Sequence, residues 1–202
     1  MNNHLTKENL TQIIDSLHLQ SVWIRECIDI VEYLSNVNKE RLKPSRNFWH
    51  MTKSSLIYRY SIELAKLFDE GEGLSIYDIR NLCIRNSAFF NNPSFVTQYC
   101  KDFKKELKNH SETVKNLCDR RNKTYGHNDK DYYLFTQKAI DDFPLDFEDI
   151  KNLALLIYNF ATTLQQNINS TRKELGYPAY YDDVKRLFGE KTEADIWLDS
   201  EF

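Results

Sequence analysis

The stretch Asp146–Leu175, DFEDIKNLALLIYNFATTLQQNINSTRKEL, decides the fold class. Its apolar residues Ile150, Leu153, Leu156, Ile157, Phe160, Leu164 and Ile168 recur three or four positions apart, the spacing of one helix face. Gly176 and Pro178 follow and close the helix. No β-type alternation interrupts the run. The same period returns upstream. Leu10, Ile13, Ile14 and Leu17 predict a short first helix capped by Thr6, and Val22, Ile24, Ile28, Val31 and Leu34 a second over about 21–36. A long helix is expected over about Arg46–Asp69, entered from Ser45 after Pro44 and ended by Gly71 and Gly73. Ser75 opens a shorter one, Asn91-Asn92-Pro93 breaks the chain, and Ser94 begins a run to about His110. Ser111 starts a helix through Val114, Leu117 and Cys118. Residues 129–144 read as a loop, and Val184, Leu187 and Phe188 mark a short amphipathic piece in the tail. The expectation is an all-α chain, a helical bundle of four or five main helices. It forms one domain over 1–202, with a core over about 20–175 and a short helix and acidic tail over 176–202.

Composition agrees with this reading. Hydrophobic residues make up 41%, and Gly (5) and Pro (4) are scarce, so long regular elements outweigh turns. The net charge of -3 excludes a global polycation, so a nucleic-acid role requires a local patch. Cys27, Cys83, Cys100 and Cys118 lie far apart among apolar neighbours and read as buried free thiols. No His, Cys, Asp and Glu set has metal-ligand spacing, and no cofactor is expected. The amino terminus lacks a signal-peptide core and no stretch is long enough to span a bilayer. The expectation is a cytoplasmic, reduced protein with no membrane contact.

One segment carries chemistry: Arg120-Arg121-Asn122-Lys123-Thr124-Tyr125-Gly126-His127-Asn128-Asp129. An arginine presents a planar fork of donors that suits a phosphate. A histidine exchanges a proton near neutral pH. RNA brings its own nucleophile, the 2′-hydroxyl, so a base, an acid and positive charge at phosphorus can cleave it. On an unbroken helix Arg120 and His127, seven apart, nearly superimpose, whereas Arg121 and His127 point roughly 120° apart. The Arg121 pairing therefore needs a break, which Gly126 can supply. The plain structural alternative is that His127 caps a helix end and that the arginines pair with Asp119 or the acidic tail. His4, His18, His50 and His110 stand alone. Trp23 and Trp49 read as core, and Tyr177, Tyr180 and Tyr181 as packing against the last long helix. Basic residues gather over Lys101–Lys123, and a second cluster comprises Lys39, Arg41, Lys43, Arg46 and Lys53.

Arg121-Asn122, four further residues and then His127 resemble the signature of the HEPN superfamily. The form R-N-K-T-Y-G-H is similar to the AbiU-type, abortive-infection branch. So is Leu64-Ala65-Lys66-Leu67-Phe68-Asp69 followed by Leu74-Ser75-Ile76. The resemblance implies a metal-independent endoribonuclease in phage defence or a toxin–antitoxin system. Arg121 would contact the scissile phosphate, His127 would act as general acid or base, and Asn122 would orient one of them or the substrate. Arg120, Lys123 and Lys115 are the candidate RNA-binding cations. The implied partners are RNA, a second copy in a homodimer, and an antitoxin or defence-system protein. A catalytically inactive RNA- or nucleotide-binding module, or a protein-interaction module, is the alternative. Some HEPN toxins carry a modifiable tyrosine two residues after the histidine; Asp129 stands there in this chain.

Overall fold

The computed structural model describes residues 5–69, 71, 73–125, 136–168 and 180–192. Among them every regular element is helical. Helix α1 spans Lys7–Asn36 and begins at Thr6, whose side chain accepts the Asn9 N–H. The sequence suggests two helices here, but one 30-residue helix forms. The reason is a continuous seam. Leu10, Ile14, Leu17, Ser21, Ile24, Ile28 and Val31 alternate four and three apart, all buried, and no glycine or proline occurs between them. Ser21 passes through the seam by donating its hydroxyl to the His18 carbonyl at 2.7 Å.

Helix α2 (Arg46–Lys66) follows a single helical turn at Lys39–Leu42, and Ser45 precedes it without a side-chain cap bond. Helix α3 (Ile76–Arg85) opens with a capping box in which Ser75 and Asp78 exchange hydrogen bonds. Asn92 caps α4 (Pro93–Lys108), which places Pro93 in the first turn, where its missing N–H costs nothing. Helix α5 spans Ser111–Arg120. Helix α6 (Thr136–Asp142) occupies part of the stretch read as loop; residues 126–135 lie outside the described residues. Helix α7 (Phe147–Asn167) is capped by Asp146, whose carboxylate accepts from the Glu148 and Asp149 amides. Its predicted extension past Ile168, with Gly176 and Pro178, also lies outside them. Helix α8 (Tyr180–Leu187) is the tail piece.

Helix α1 packs between α2 and α7 along its length. Phe160 of α7 is fully buried and stacks on Phe103 of α4 at 3.8 Å between centroids. Gln165 donates to the buried Asp15 at 2.8 Å, tying α7 to α1. Helix α8 lies on α1: Tyr180 stacks near Trp23 and Tyr181 meets Tyr33 edge-on. This corrects the expectation that Tyr180 and Tyr181 pack on α7; Tyr177 lies outside the described residues. Trp23 and Tyr33 of α1 offer Tyr180 and Tyr181 aromatic faces, and Glu26 of the same helix accepts the Tyr181 N–H at 3.0 Å. Trp49 is half-buried against Phe48 and Phe188. The thiols of Cys27, Cys83 and Cys100 are buried and free, and Cys118 is half-buried. No helix among the described residues is long and apolar enough to cross a membrane.

Candidate functional site at the end of α5

Helix α5 packs its Leu117 face against α2 and then changes its winding. Residues Arg121–Tyr125 form a single wide π turn. Such turns are rare, carry i→i+5 bonding and recur at functional sites. The chain therefore leaves α geometry at Arg121 itself, five residues before Gly126. The Thr124 hydroxyl donates back to the Arg120 carbonyl across the turn.

The two arginines separate at this point. Arg120 turns inward and donates from Nη2 to the Phe143 carbonyl at 2.6 Å. Asn116, one helical turn earlier on the same face, donates to the Pro144 carbonyl at 3.0 Å. Together they clamp the corner between α6 and α7. Arg120 also borders a cleft of about 510 Å³ shared with Lys53, Tyr60, Ser61 and Phe147, and its Nε is buried with no hydrogen-bond partner. Arg120, named above as a candidate RNA-binding cation, thus makes its described side-chain bond within the fold.

Arg121 instead meets Asp69. Its Nη1 donates to Asp69 Oδ2 at 2.6 Å, and the two side chains remain 28% and 31% exposed. Asp69 sits just past the end of α2, in a loop pinned by the Ile76 N–H on the Leu67 carbonyl at 2.7 Å. Leu67, Phe68 and Ile76 are buried beneath it. The Gly71 N–H bonds the other carboxylate oxygen, Oδ1, at 3.0 Å. That amide first, and Arg121 second, hold the Asp69 carboxyl below the usual carboxylate range. Asp69 is thus a fixed anion that orients a half-open guanidinium.

Asp69 is the residue that sequence reasoning missed. It stands inside the Leu64–Asp69 stretch quoted for its resemblance, but nothing local shows that it meets Arg121, 52 positions later. Asn122 is exposed beside Arg121, with its Oδ1 3.4 Å from Nη1. Lys123 is exposed on the same turn, and Lys115 is exposed on α5. His127 lies outside the described residues. Among the described residues no group of three or more His, Cys, Asp and Glu side chains could hold a metal ion.

The arrangement offers a cation fixed from one side and accessible from the other, on a turn that breaks helical phase. It suits the capture of an anionic oxygen. Neither the comparison with curated proteins nor that with solved structures finds a match. A model of the AbiU2 family of HEPN domains matches residues 7–187, which includes the helices described above and the Arg121–His127 segment. By that match the chain belongs to the HEPN superfamily, in its AbiU2, abortive-infection branch.

Proposed function

We propose that this phage-defence HEPN protein is a metal-independent endoribonuclease whose site is built on Arg121, Asn122 and His127. The observation that carries the reading is the Arg121–Asp69 pair. Both of its described bonds leave from Nη1, and a guanidinium has five N–H donors. The remaining edge can take the non-bridging oxygens of a phosphate while Asp69 holds the group in place. His127, six residues on, supplies the proton transfer.

In this mechanism the substrate 2′-oxygen forms a bond to phosphorus and the P–O5′ bond breaks. The 2′-hydroxyl proton goes to a base, and an acid protonates the departing O5′. Arg121 stabilises the charge that gathers on the phosphoryl oxygens in the transition state. The products are a 2′,3′-cyclic phosphate and a 5′-hydroxyl. Twofold pairing of two chains supplies the second imidazole and guanidinium. An antitoxin or second defence component keeps such an activity silent.

The test uses end-labelled RNA in EDTA. Wild type cuts it, leaving a cyclic phosphate, while Arg121→Ala and His127→Ala do not, at a temperature where both remain folded. Cutting retained by both variants removes the reading. The same ion pair favours one other reading, because Asp69 already balances the Arg121 charge: a latch in a module that binds RNA or a protein without cleaving. RNA left intact by wild type, with salt-sensitive affinity, selects that alternative.

A further inference from the structure

Helix α4 carries the first part of the basic run over Lys101–Lys123, one helix ahead of the Arg121 turn. Lys101, Lys104, Lys105 and Lys108 follow one another at i, i+3, i+4 and i+7, and all four are exposed. At 100° per residue they fall within an arc about 100° wide and run about 10 Å along the axis. Glu106 lies roughly 150° from the centre of that arc. The neighbouring face of the helix, centred about 120° away, is fixed in the core by Val96, Cys100, Phe103 and Leu107, all buried. The ridge is therefore a set of cations on a rigid base.

Its charge is largely unopposed. Lys105 pairs with Asp102 at 2.8 Å. Lys101, Lys104 and Lys108 make no hydrogen bond or ion pair with the described residues. The plainest account of lysines on a helix is that they complement its carboxyl-terminal dipole, an effect confined to the last turn. That accounts for Lys105 and Lys108; Lys101 also acts at longer range on the Asp102 carboxylate, and Lys104 has neither account. In a chain with 30 acids against 27 Lys and Arg, this segregation onto one face is itself the observation. A membrane surface is the poorer fit, because the apolar side of α4 is already occupied by the core.

We propose that the α4 lysine ridge is an exosite for the phosphate backbone of single-stranded RNA, outside the Arg121 turn. The ridge binds by charge and does not read sequence. It rests on the endoribonuclease reading for the identity of its ligand. Helix α5, 10 residues long, stands between the ridge and Arg121 along the chain. The exosite is to be engaged by a strand of some twenty nucleotides and not by a dinucleotide, which has a single phosphate to offer.

The experiment compares wild type with Lys101→Ala/Lys104→Ala/Lys108→Ala, all exposed positions, after their melting curves are shown to coincide. Affinity for a labelled, unstructured 20-nucleotide RNA is measured as salt is raised fourfold. Each lost contact to a single strand lowers the log–log slope by about 0.7. Three lost contacts make the variant's affinity fall roughly 20-fold less than that of wild type over this range. Dinucleotide cleavage stays unchanged, while kcat/KM on the long RNA drops. An unchanged slope in a variant that still cuts overturns the exosite and leaves the nuclease intact. Ridge-dependent RNA binding by a wild type that cuts nothing upholds the exosite and removes the nuclease. Ridge-dependent binding to anionic lipid vesicles with no RNA affinity overturns the exosite.

Discussion

Arg120→Met separates the two arginines of the motif by experiment. Methionine keeps most of the aliphatic stem and removes the guanidinium. What is lost is a bond of 2.6 Å from a charged donor to the Phe143 carbonyl, a class worth about 1.5–3 kcal/mol. Part of this is returned, because Nε is buried without a partner and leaves with the guanidinium. A net loss of about 2 kcal/mol follows. For a chain of this size that lowers the melting temperature by about 4–8 °C. Asn116→Ala removes the neighbouring clamp to Pro144 and costs about 1 kcal/mol. Because both clamps hold one corner, the double variant departs from additivity by at least 0.5 kcal/mol, roughly. The assay is thermal and urea unfolding followed by circular dichroism, beside RNA cleavage at a temperature where all variants are folded. Arg120→Met should melt early and still cut. Arg121→Ala should melt closer to wild type and fail to cut. If Arg120→Met instead melts with wild type and loses RNA affinity, the inward role assigned to Arg120 is wrong and its guanidinium belongs to the substrate.

Asp69→Asn keeps the size of the side chain and removes the anion that orients Arg121. Steady-state cleavage should show kcat falling more than KM rises, and an equal effect on both would make Asp69 a binding group only. Phe160→Ala empties the stack on Phe103 and should cost about 3–5 kcal/mol by urea unfolding; a loss under 1 kcal/mol would mean that the core refills. Tyr33 donates to Glu190 at 2.8 Å, and burial first, then that bond, push its phenol up to about 12. Its folded pKa lies above the unfolded value of about 10. The stability it contributes is therefore complete below pH 10 and is lost as pH rises through about 12. Burial raises Tyr99 as well, so ultraviolet titration should show a late component from which Tyr33→Phe removes one tyrosine.

What was readable in the sequence is what depends on neighbours along the chain. The Ser75 cap, the break at Asn92-Pro93 and the apolar stripe of α7 each follow from residues within two turns. The union of two expected helices into α1 was partly readable, since nothing between Leu17 and Ser21 stops a helix, but a polar Ser21 in the seam hid the continuity. Contacts across the fold were not readable. Asp69 reaches Arg121 only because the loop after α2 is pinned beneath the end of α5. Arg120 faces inward only because the α6–α7 corner presents the Phe143 carbonyl to it. The π turn escaped notice because the same residue types serve α and π winding, and a glycine nearby offered a more obvious breaker. The packing of Tyr180 and Tyr181 on α1 depends on where the tail returns, which periodicity does not encode.

The order of synthesis gives the α6–α7 corner a further consequence. A ribosome makes roughly 5–20 residues per second, so the α7 stripe that covers Leu10 and its neighbours follows them by about 7–28 s. During that interval the first helix offers a bare greasy surface to nascent-chain chaperones. The Arg121 turn is also translated before Phe143 and Pro144, the acceptors that lock the helix leading into it. A product cut short before those two residues carries the Arg121 turn without the brace that Arg120 and Asn116 make to them.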